Sequence, residues 1–296
     1  MDGILNICKP LGPTSHDVVN RVRRLSGQRR VGHAGTLDPA AAGVLLVALG
    51  QATRVIEYMA NYDKEYLAEI MLGQTTNTYD AAGRPTSAAT VPQFSREQVA
   101  AALASFVGKI WQVPPAYSAI KQAGQPLYRL ARAGKEVQVP ARRVEVHSID
   151  LLEWDTPTLC ALIRCSKGTY IRSLAHDLGQ KVGSGGHLRS LVRTASGRFH
   201  IRDAVTLEEL ELAFANGYAE DLLYPLDEAL LHLPAVILGP QSVPAIQQGK
   251  AWQGTRPVAE SLRCRAYTGD GEIVALLEND RGTALWHPRK VFAVGR

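Results

Sequence analysis

Cysteine is scarce in this chain, with only four in 296 residues. The four, Cys8, Cys160, Cys165 and Cys264, form no C-x-x-C pair, so the spacing indicates neither a zinc site nor a disulfide framework. Reduced thiols of this kind are typical of an intracellular protein. Cysteine spacing therefore points to no metal.

Three further features are missing. The longest apolar run, around Ala40 to Leu49, is too short to cross a bilayer. The first residues, Met1 to Asn6, lack the basic-then-apolar order of a signal peptide. No G-x-x-x-x-G-K-[S/T] loop occurs, which argues against a nucleotide-driven enzyme. We therefore expect a cytoplasmic protein that makes no membrane contact.

What the sequence does have is an excess of basic residues, with a net charge of +5 and a pI near 9.0. The excess is concentrated in residues 1–35, whose net charge is +4, and in residues 121–143, whose net charge is +5. Lys and Arg clusters attract phosphates, which release their counterions on binding. A nucleic acid partner is one explanation, and a solvated basic face without a partner is the other. Charge alone does not choose between them.

The amino-terminal half mixes strand and helix patterns. Alternation in the segment 64–72 places Tyr66, Ala68, Ile70 and Leu72 on one face of a strand. Helices are predicted where a capping box precedes a helical repeat, at Thr14 with Asp17 and at Ser95 with Gln98. Further strands are predicted at 4–7 and, from a continuous apolar run, at 44–49.

The second half continues the mixture and then changes character. Strands are predicted at 144–152 and 158–165, a helix at 171–182, a flexible joint at 183–186, and a turn at Thr268–Gly271. Residues 114–149 have the pattern of an inserted basic segment with a short helix at 127–133, and residues 234–296 are rich in short strands. Without a regular βαβ rhythm, the pattern indicates an α+β fold with domains at 1–233 and 234–296.

Asp38 is the first candidate for chemistry. It precedes Pro39, which disfavours helical backbone at Asp38 and leaves its carboxylate on an extended or bent segment. Gly35 and Gly43 flank this segment and allow another chain to approach closely. The alternative is an ordinary Asp-Pro turn at the surface, which turn chemistry alone explains.

Three more residues accompany it. Tyr66 begins a strand, where an aromatic side chain is usually packed in a core. Tyr170 and Arg172 share a face if their segment is extended, although Thr169 could instead cap the following helix. An arginine at an apolar strand end is expected to have a carboxylate partner, because an unpaired buried charge is costly.

At these segments the chain resembles the TruB family of tRNA pseudouridine synthases. The residues Gly32 to Leu45 match the family's catalytic aspartate motif, and Gly168 to Leu174 match a second motif. The opening from Gly3 to Asp17 is also similar, so the likeness covers about residues 3–200. The segment 186–193, which we interpret as a loop, departs from the family pattern at Gly186 and Val192.

The resemblance implies a fold and a reaction. The fold is a mixed, largely antiparallel central sheet of the pseudouridine synthase type with flanking helices, followed by a small β-rich domain similar to a PUA domain. The reaction is the isomerisation of uridine 55 in the T-loop of tRNA, which needs no cofactor and no metal. The nucleotide must be flipped out of its stack to be reached, and the insertion 114–149 would close over the loop.

The resemblance also implies roles for named residues. Asp38 would be the nucleophile, and Arg172 its partner, lowering the pKa of that carboxyl. Tyr66 would stack on the flipped base and handle a proton, while Tyr170 would wall the pocket. A further set would contact the base or the RNA: His33, Leu191, Lys64 and Lys9.

Two rival functions remain at this point. One is a guide-RNA-dependent pseudouridine synthase, which shares the aspartate motif and acts within a protein–RNA complex. The other is a non-catalytic tRNA-binding or RNA-folding protein. Our first expectation is a monomeric enzyme that acts on tRNA without an obligate protein partner.

Overall fold

The helices begin and end close to where local signals place them. The structure is a computed structural model that describes residues 1–118, 121–122, 125–127, 139–254, 261–280 and 284–294. The helices are α1 Ser15–Ser26, α2 Ile56–Ala60, α3 Arg96–Ala104, α4 Ile171–Lys181, α5 Leu207–Asn216 and α6 Ser242–Gln247. Short 3₁₀ segments lie at Gly50–Val55, Ile201–Asp203, Ala219–Leu222 and Leu226–Leu230. Both predicted capping boxes, at Thr14 and Ser95, are present.

The strands make up most of the remaining described chain. In the first half they are β1 Gly3–Lys9, β2 Val31–Ala34, β3 Ala41–Leu49, β4 Lys64–Leu72, β5 Gln74–Thr76, β6 Pro85–Ala88, β7 Gly108–Gln112, β8 Lys121–Gln122 and β9 Gln125–Pro126. In the second half they are β10 Arg142–Asp155, β11 Thr158–Cys165, β12 Gly186–Ser196, β13 Phe199–His200, β14 Ala235–Ile237, β15 Trp252–Gln253, β16 Arg263–Tyr267, β17 Ile273–Asn279 and β18 Leu285–Val291.

A large mixed sheet organises the first domain. Within the described residues its strand order is β1-β3-β12-β4-β11-β10-β7, with β2 paired to β3 and β13 paired to β12. The pairing of β3 with β12 is parallel, and the other pairings are antiparallel. The predicted α+β class with a mixed, largely antiparallel sheet is therefore confirmed.

The sheet is buried by helices on the face that also carries the site. Along β4 the side chains alternate between buried and partly exposed positions, as the period-2 pattern predicts. The buried side chains pack with α3 and α4 through residues such as Leu103 and Leu174. At the other end of the sheet, β1 and β3 pack against α1 and α5 through Val18, Val22 and Leu210.

The prediction of a loop at 186–193 was wrong. These residues begin β12, which lies between β3 and β4 at the centre of the sheet. The strand pairs with β4 through two register irregularities, between Leu188 and Ser190 and between Arg193 and Ala195. Such bulges break the alternation of side chains that would mark a strand in the sequence.

The inserted segment leaves the sheet after Gln112 and returns at Arg142, because residues 142–149 form the first part of β10. The predicted basic helix at 127–133 lies largely outside the described residues. In the part that is described, Leu127 is 1% exposed.

The carboxy-terminal domain is β-rich, as predicted. In the part of it that the structure describes, five strands have the order β14-β16-β17-β18-β15, around a core that includes the buried Trp286. The predicted turn at Thr268–Gly271 joins β16 to β17. The domain packs against the first one through Phe292, which lies in a core cluster with Ile4 and Val44.

Candidate active site

Asp38 lies in the connection between β2 and β3, and α1 fixes this connection. The Ser15 hydroxyl accepts a hydrogen bond from the Leu37 amide (2.8 Å) and donates one to the Leu37 carbonyl (3.0 Å). The Gly12 amide donates to the Pro39 carbonyl (2.9 Å). The backbone on both sides of Asp38 is therefore tied to the segment from Gly12 to Ser15 at the start of α1. These bonds fix the position of the Asp38 carboxylate.

Arg172 is the partner of Asp38. Its guanidinium Nη2 lies 2.9 Å from Asp38 Oδ2, and its Nη1 lies 3.5 Å from Asp80 Oδ2. The guanidinium also donates to the carbonyls of Thr78 (3.3 Å) and Tyr117 (3.0 Å). With 7% of its side chain exposed, Arg172 is a buried cation that two carboxylates and two carbonyls hold in place.

The charge balance around Asp38 differs from the sequence-based expectation. Burial raises the pKa of Asp38, and the neighbouring Asp80 raises it further, whereas Arg172 and Lys9 lower it. The net direction is upward, because desolvation of the carboxylate outweighs the nearby arginine. Arg172 therefore lowers the pKa of Asp38 as expected, but burial, which the sequence did not reveal, reverses the net shift.

A cavity opens directly above the pair, with a volume of about 270 Å³. Asp38 and Arg172 lie on one side of it, and its walls include Tyr66, Tyr170 and Leu191. With Lys64 included, the structure therefore brings six of the eight predicted site residues to one place. Lys64 also lines the cavity. Its ammonium donates to the carbonyls of Ala60 (2.9 Å) and Tyr62, and burial lowers the pKa of this lysine to about 8.

Tyr66 enters the cavity from β4 and is 9% exposed. Burial raises the pKa of its phenol, and the guanidinium of Arg193 opposes that rise. A phenol with a raised pKa is uncharged at neutral pH, so it is a poor base and a good stacking surface.

Tyr170 reaches the cavity from the residue before α4. Its backbone is extended (φ −101°, ψ 108°), and no side chain caps this helix, so the suggested cap at Thr169 is absent. The Gln112 amide group fixes Tyr170 by accepting from its N–H (2.7 Å) and donating to its carbonyl (3.0 Å). Arg172 lies in the first turn of α4 and not in an extended segment.

Two site residues were missed in the sequence. Arg193 lines the cavity from β12, is 1% exposed, and donates to the carbonyls of Val44 (2.6 Å) and Gly35 (3.1 Å). Asp80 was missed because it follows β5 in a turn whose partner, Arg172, is distant in sequence.

His33 and Lys9 lie near the site but do not line the cavity. His33 is on β2, half-buried, and its Nδ1 has no hydrogen-bond partner among the described residues. Burial lowers its pKa, and Arg193 adds to that effect. Lys9 is fully buried and donates to the carbonyls of Pro10 (2.8 Å) and Pro13 (2.9 Å). Burial lowers the pKa of Lys9 to about 8.

The described part of the chain contains no cluster of three or more His, Cys, Asp or Glu side chains arranged to hold a metal ion. It also contains no helix that combines the length and apolar character needed to span a bilayer.

Two known family models together match most of the first domain. Residues 23–171 match the TruB family pseudouridylate synthase amino-terminal domain, and residues 172–231 match the tRNA pseudouridylate synthase B carboxy-terminal domain. The first match contains Asp38 and Tyr66, and the second begins at Arg172. The two matched segments therefore meet at the cavity.

Curated relatives extend over nearly the whole chain. The tRNA pseudouridine synthase B of Dehalococcoides mccartyi is 45% identical over 293 residues, which is 99% of this chain and 97% of that protein. The protein of the same name from Moorella thermoacetica is 45% identical over 302 residues, with 98% of each chain covered. The similarity therefore includes the carboxy-terminal domain.

Solved structures share the fold. A Cbf5-Nop10-Gar1 complex contains a chain that covers 93% of this one, with a TM-score of 0.74 and 30% identity, and 78% of that chain is covered. The archaeal box H/ACA sRNP Nop10-Cbf5 complex gives a TM-score of 0.75 with 27% identity, covering 98% of this chain and 86% of that one. Fold, cavity and family matches together define an enzyme of the pseudouridylate synthase class. Within that class, the chain belongs to the TruB family.

Proposed function

We propose that this enzyme converts uridine 55 in the T-loop of tRNA to pseudouridine, with Asp38 as the nucleophile. In this isomerisation the bond from N1 to C1′ breaks and a bond from C5 to C1′ forms. The proton on C5 is lost and N1 gains a proton, so the atoms balance without an oxidant, a reductant or a second substrate. The chemistry requires one nucleophile, a site for the detached base and a route for one proton.

The observation that carries the proposal is the Asp38–Arg172 pair at the wall of a nucleoside-sized cavity. Pockets for drug-sized ligands measure roughly 300–1,000 Å³, so a cavity of about 270 Å³ suits a single nucleoside. A carboxylate acts as a nucleophile in its ionised form. Arg172 favours that form and fixes its direction, since the two side chains are 2.9 Å apart.

The nucleotide must leave the stack of the RNA loop to enter this cavity. Flipping costs a few kcal/mol, and contacts inside the cavity must offset that cost. Tyr66 offers an aromatic face for the base, and Leu191 offers an apolar contact, since both line the cavity. Tyr170 closes the wall next to Asp38, where its backbone is fixed by Gln112.

Several chemical routes begin from this arrangement. Asp38 can attack C1′, attack C6 of the base, or promote a route through a glycal. Each route places negative charge on the uracil ring while the ring is detached or activated. Arg193 and Lys64, two cations in the cavity wall, are suited to stabilise that charge.

RNA contacts outside the cavity are assigned from charge and position. Residues 1–35 carry His33 close to Asp38, and the insertion 114–149 begins at the cavity, where the Tyr117 carbonyl accepts from Arg172. We assign both segments to the T-loop contact, because Lys and Arg bind phosphates and aromatic side chains stack on unpaired bases. The domain 234–296 would bind RNA in the manner of a PUA domain.

The direct test uses the purified chain alone with an unmodified tRNA transcript. Mass-spectrometric mapping should find pseudouridine at position 55, and a transcript with cytidine at that position should gain none. A guide-RNA-dependent enzyme would give no product until a guide RNA is added. A non-catalytic RNA-binding protein would bind the transcript and leave it unmodified.

The proposal extends to the oligomeric state of the enzyme and its place in the cell. We expect a monomer that acts in the cytoplasm, where tRNA is processed, without an obligate protein partner. Turnover at enzyme concentrations from nanomolar to micromolar should be proportional to enzyme. A rate that rises with the square of concentration would contradict the monomer.

A further inference from the structure

Tyr79 has an unusual backbone conformation close to the site. Among the described residues it is the one non-glycine position with a positive φ, at 64°. Side chains larger than those of Gly, Asn and Asp seldom adopt this region. Such a conformation persists where the surrounding structure holds it in place.

An aromatic stack and two backbone hydrogen bonds hold it. The rings of Tyr79 and His176 are stacked, with centroids 3.9 Å apart and an interplanar angle of 12°. The Tyr79 carbonyl accepts from the Leu188 amide (3.0 Å), and the Ala81 amide donates to the Leu188 carbonyl (2.9 Å). The turn at 76–83, in the β5–β6 connection, is thus fixed between α4 and β12.

This turn supplies two of the groups that hold Arg172. Thr78 provides a carbonyl to Nη1, and Asp80 provides Oδ2. The other carboxylate oxygen of Asp80 is occupied inside the turn, where it accepts from the Thr78 hydroxyl (2.6 Å) and the Ala82 amide (3.1 Å). Asp80 therefore presents one defined oxygen to the guanidinium.

His176 connects the same turn to the helix that carries Arg172. It follows Arg172 by four residues in α4, so both side chains lie on one face of the helix. Burial lowers the pKa of His176, and its one charged neighbour of note, Asp177, opposes that shift. An uncharged imidazole at neutral pH presents a flat ring to Tyr79, and this suits a stacked pair.

We propose that Tyr79 and His176 are positioning residues for catalysis. Their stack holds the turn 76–83 against α4, so that Thr78 and Asp80 fix Arg172 and, through it, Asp38. This inference rests on the proposed function of Asp38. A pair with a purely packing role would affect folding stability and leave the reacting groups unchanged.

Substitutions at Tyr79 separate these two roles. Asn tolerates a positive φ, so Tyr79→Asn removes the ring without adding backbone strain, whereas Tyr79→Phe keeps the ring. We expect Tyr79→Asn to lower kcat by about tenfold or more with KM within about threefold, as for an interaction made in the transition state. Tyr79→Phe should stay within about twofold of the wild-type kcat. Tyr218→Asn, at a half-exposed position away from the site, is the matched control.

Substitutions at His176 provide a second, independent test, which remains usable if Tyr79→Asn fails to fold. His176→Ala should lower kcat as Tyr79→Asn does. His176→Phe, which keeps a ring at this position, should have a kcat close to that of the wild type. The double variant Tyr79→Asn/His176→Ala should be no slower than the worse single variant, because the two side chains act as one unit. Losses that multiply, or Phe variants as slow as Asn and Ala, would overturn the proposal.

A readout that does not depend on turnover is the pKa of Asp38. Arg172 lowers this pKa while burial and Asp80 raise it, so loosening Arg172 should shift the pKa upward. Titration of carboxyl-labelled aspartate by NMR, assigned with Asp38→Asn, should show that shift in Tyr79→Asn and not in Tyr79→Phe. An unchanged Asp38 pKa in Tyr79→Asn would refute the positioning role. Absence of pseudouridine with the wild-type chain would instead refute the proposed function.

Discussion

Two arginines are buried in the walls of the same cavity, and their surroundings are opposite. Arg172 contacts the carboxylates of Asp38 and Asp80. Arg193 contacts the carbonyls of Val44 and Gly35, and among the described residues it forms no ion pair. Its charged neighbours are basic, since it lowers the pKa values of Lys64 and His33.

The difference indicates which group each of the two guanidinium charges stabilises. The charge of Arg172 is already balanced by the protein's own carboxylates, so this residue serves Asp38, the proposed nucleophile. Among the described residues the Arg193 guanidinium meets carbonyl dipoles and the Tyr66 phenol but no carboxylate, and an incompletely paired buried cation is costly to keep. We infer that Arg193 serves the substrate, whose uracil ring would carry negative charge in the proposed reaction.

Removing Arg172 should have the largest effect. Arg172→Ala leaves Asp38 and Asp80 without their common cation, and loss of one partner of a buried pair costs about 3 kcal/mol of the free energy of unfolding. Turnover should fall by more than a hundredfold, because Asp38 loses both its direction and its counter-charge. Urea denaturation and single-turnover assays measure the two effects.

The matched control is Arg164→Ala, which breaks the exposed ion pair with Glu65 at 2.7 Å. It should change stability little, since exposed pairs contribute little, and turnover should remain at the wild-type level. An Arg172→Ala enzyme with wild-type turnover would remove Arg172 from the site.

Arg193→Met should have the next largest effect and a different signature. Loss of one group that stabilises developing charge typically lowers kcat by about a hundredfold or more. The Asp38–Arg172 pair is left intact, so the pKa of Asp38 should not move. Single-turnover kinetics and an NMR titration of Asp38 test both statements. A large shift in the Asp38 pKa would show that the two arginines act on the same group.

The pH dependence of turnover tests the charges around Asp38. We expect a smaller effect here than from removing either arginine. Asp38 is active when ionised, so kcat should fall as the pH is lowered through its pKa, at a midpoint above the ordinary value of about 3.9. Asp80→Asn removes a charge that raises this pKa, so the acid limb should move to lower pH. An acid limb that stays in place or moves to higher pH would contradict the direct effect of the Asp80 charge on Asp38.

Lys9 offers the smallest and most specific test. Its pKa is lowered from 10.5 to about 8, so its charged form is disfavoured in the folded protein. As pH rises from about 8 towards 10.5, the unfolded chain binds more protons than the folded one, and stability rises. The free energy of unfolding of wild type minus that of Lys9→Met should therefore increase over this range. For Lys109→Met, at an exposed position, the difference should stay constant.

Local signals in the sequence were sufficient for many elements. The capping boxes at Thr14 and Ser95 and the alternation along β4 depend on residues a few positions apart, and each was recovered. Strand β12 was missed, because its bulges interrupt the alternation. The catalytic candidates Asp38, Tyr66 and Arg172 came from motif resemblance and not from residue patterns alone.

The missing site residues depend on contacts that are distant in sequence. The Arg193 guanidinium donates to Val44, 149 positions away, and that of Arg172 donates to Thr78, 94 positions away. No short pattern encodes such contacts. The upward shift of the Asp38 pKa was also missed, because it depends on how strongly the folded site desolvates the carboxylate.

The most direct test of the account is Asp38→Asn, which changes one oxygen of the carboxylate and preserves the shape of the side chain. With unmodified tRNA, this variant should yield no pseudouridine at position 55, while tRNA affinity stays within about tenfold of wild type, or about 1.4 kcal/mol. The exposed control Asp203→Asn should keep wild-type turnover. Normal turnover by Asp38→Asn would contradict the account.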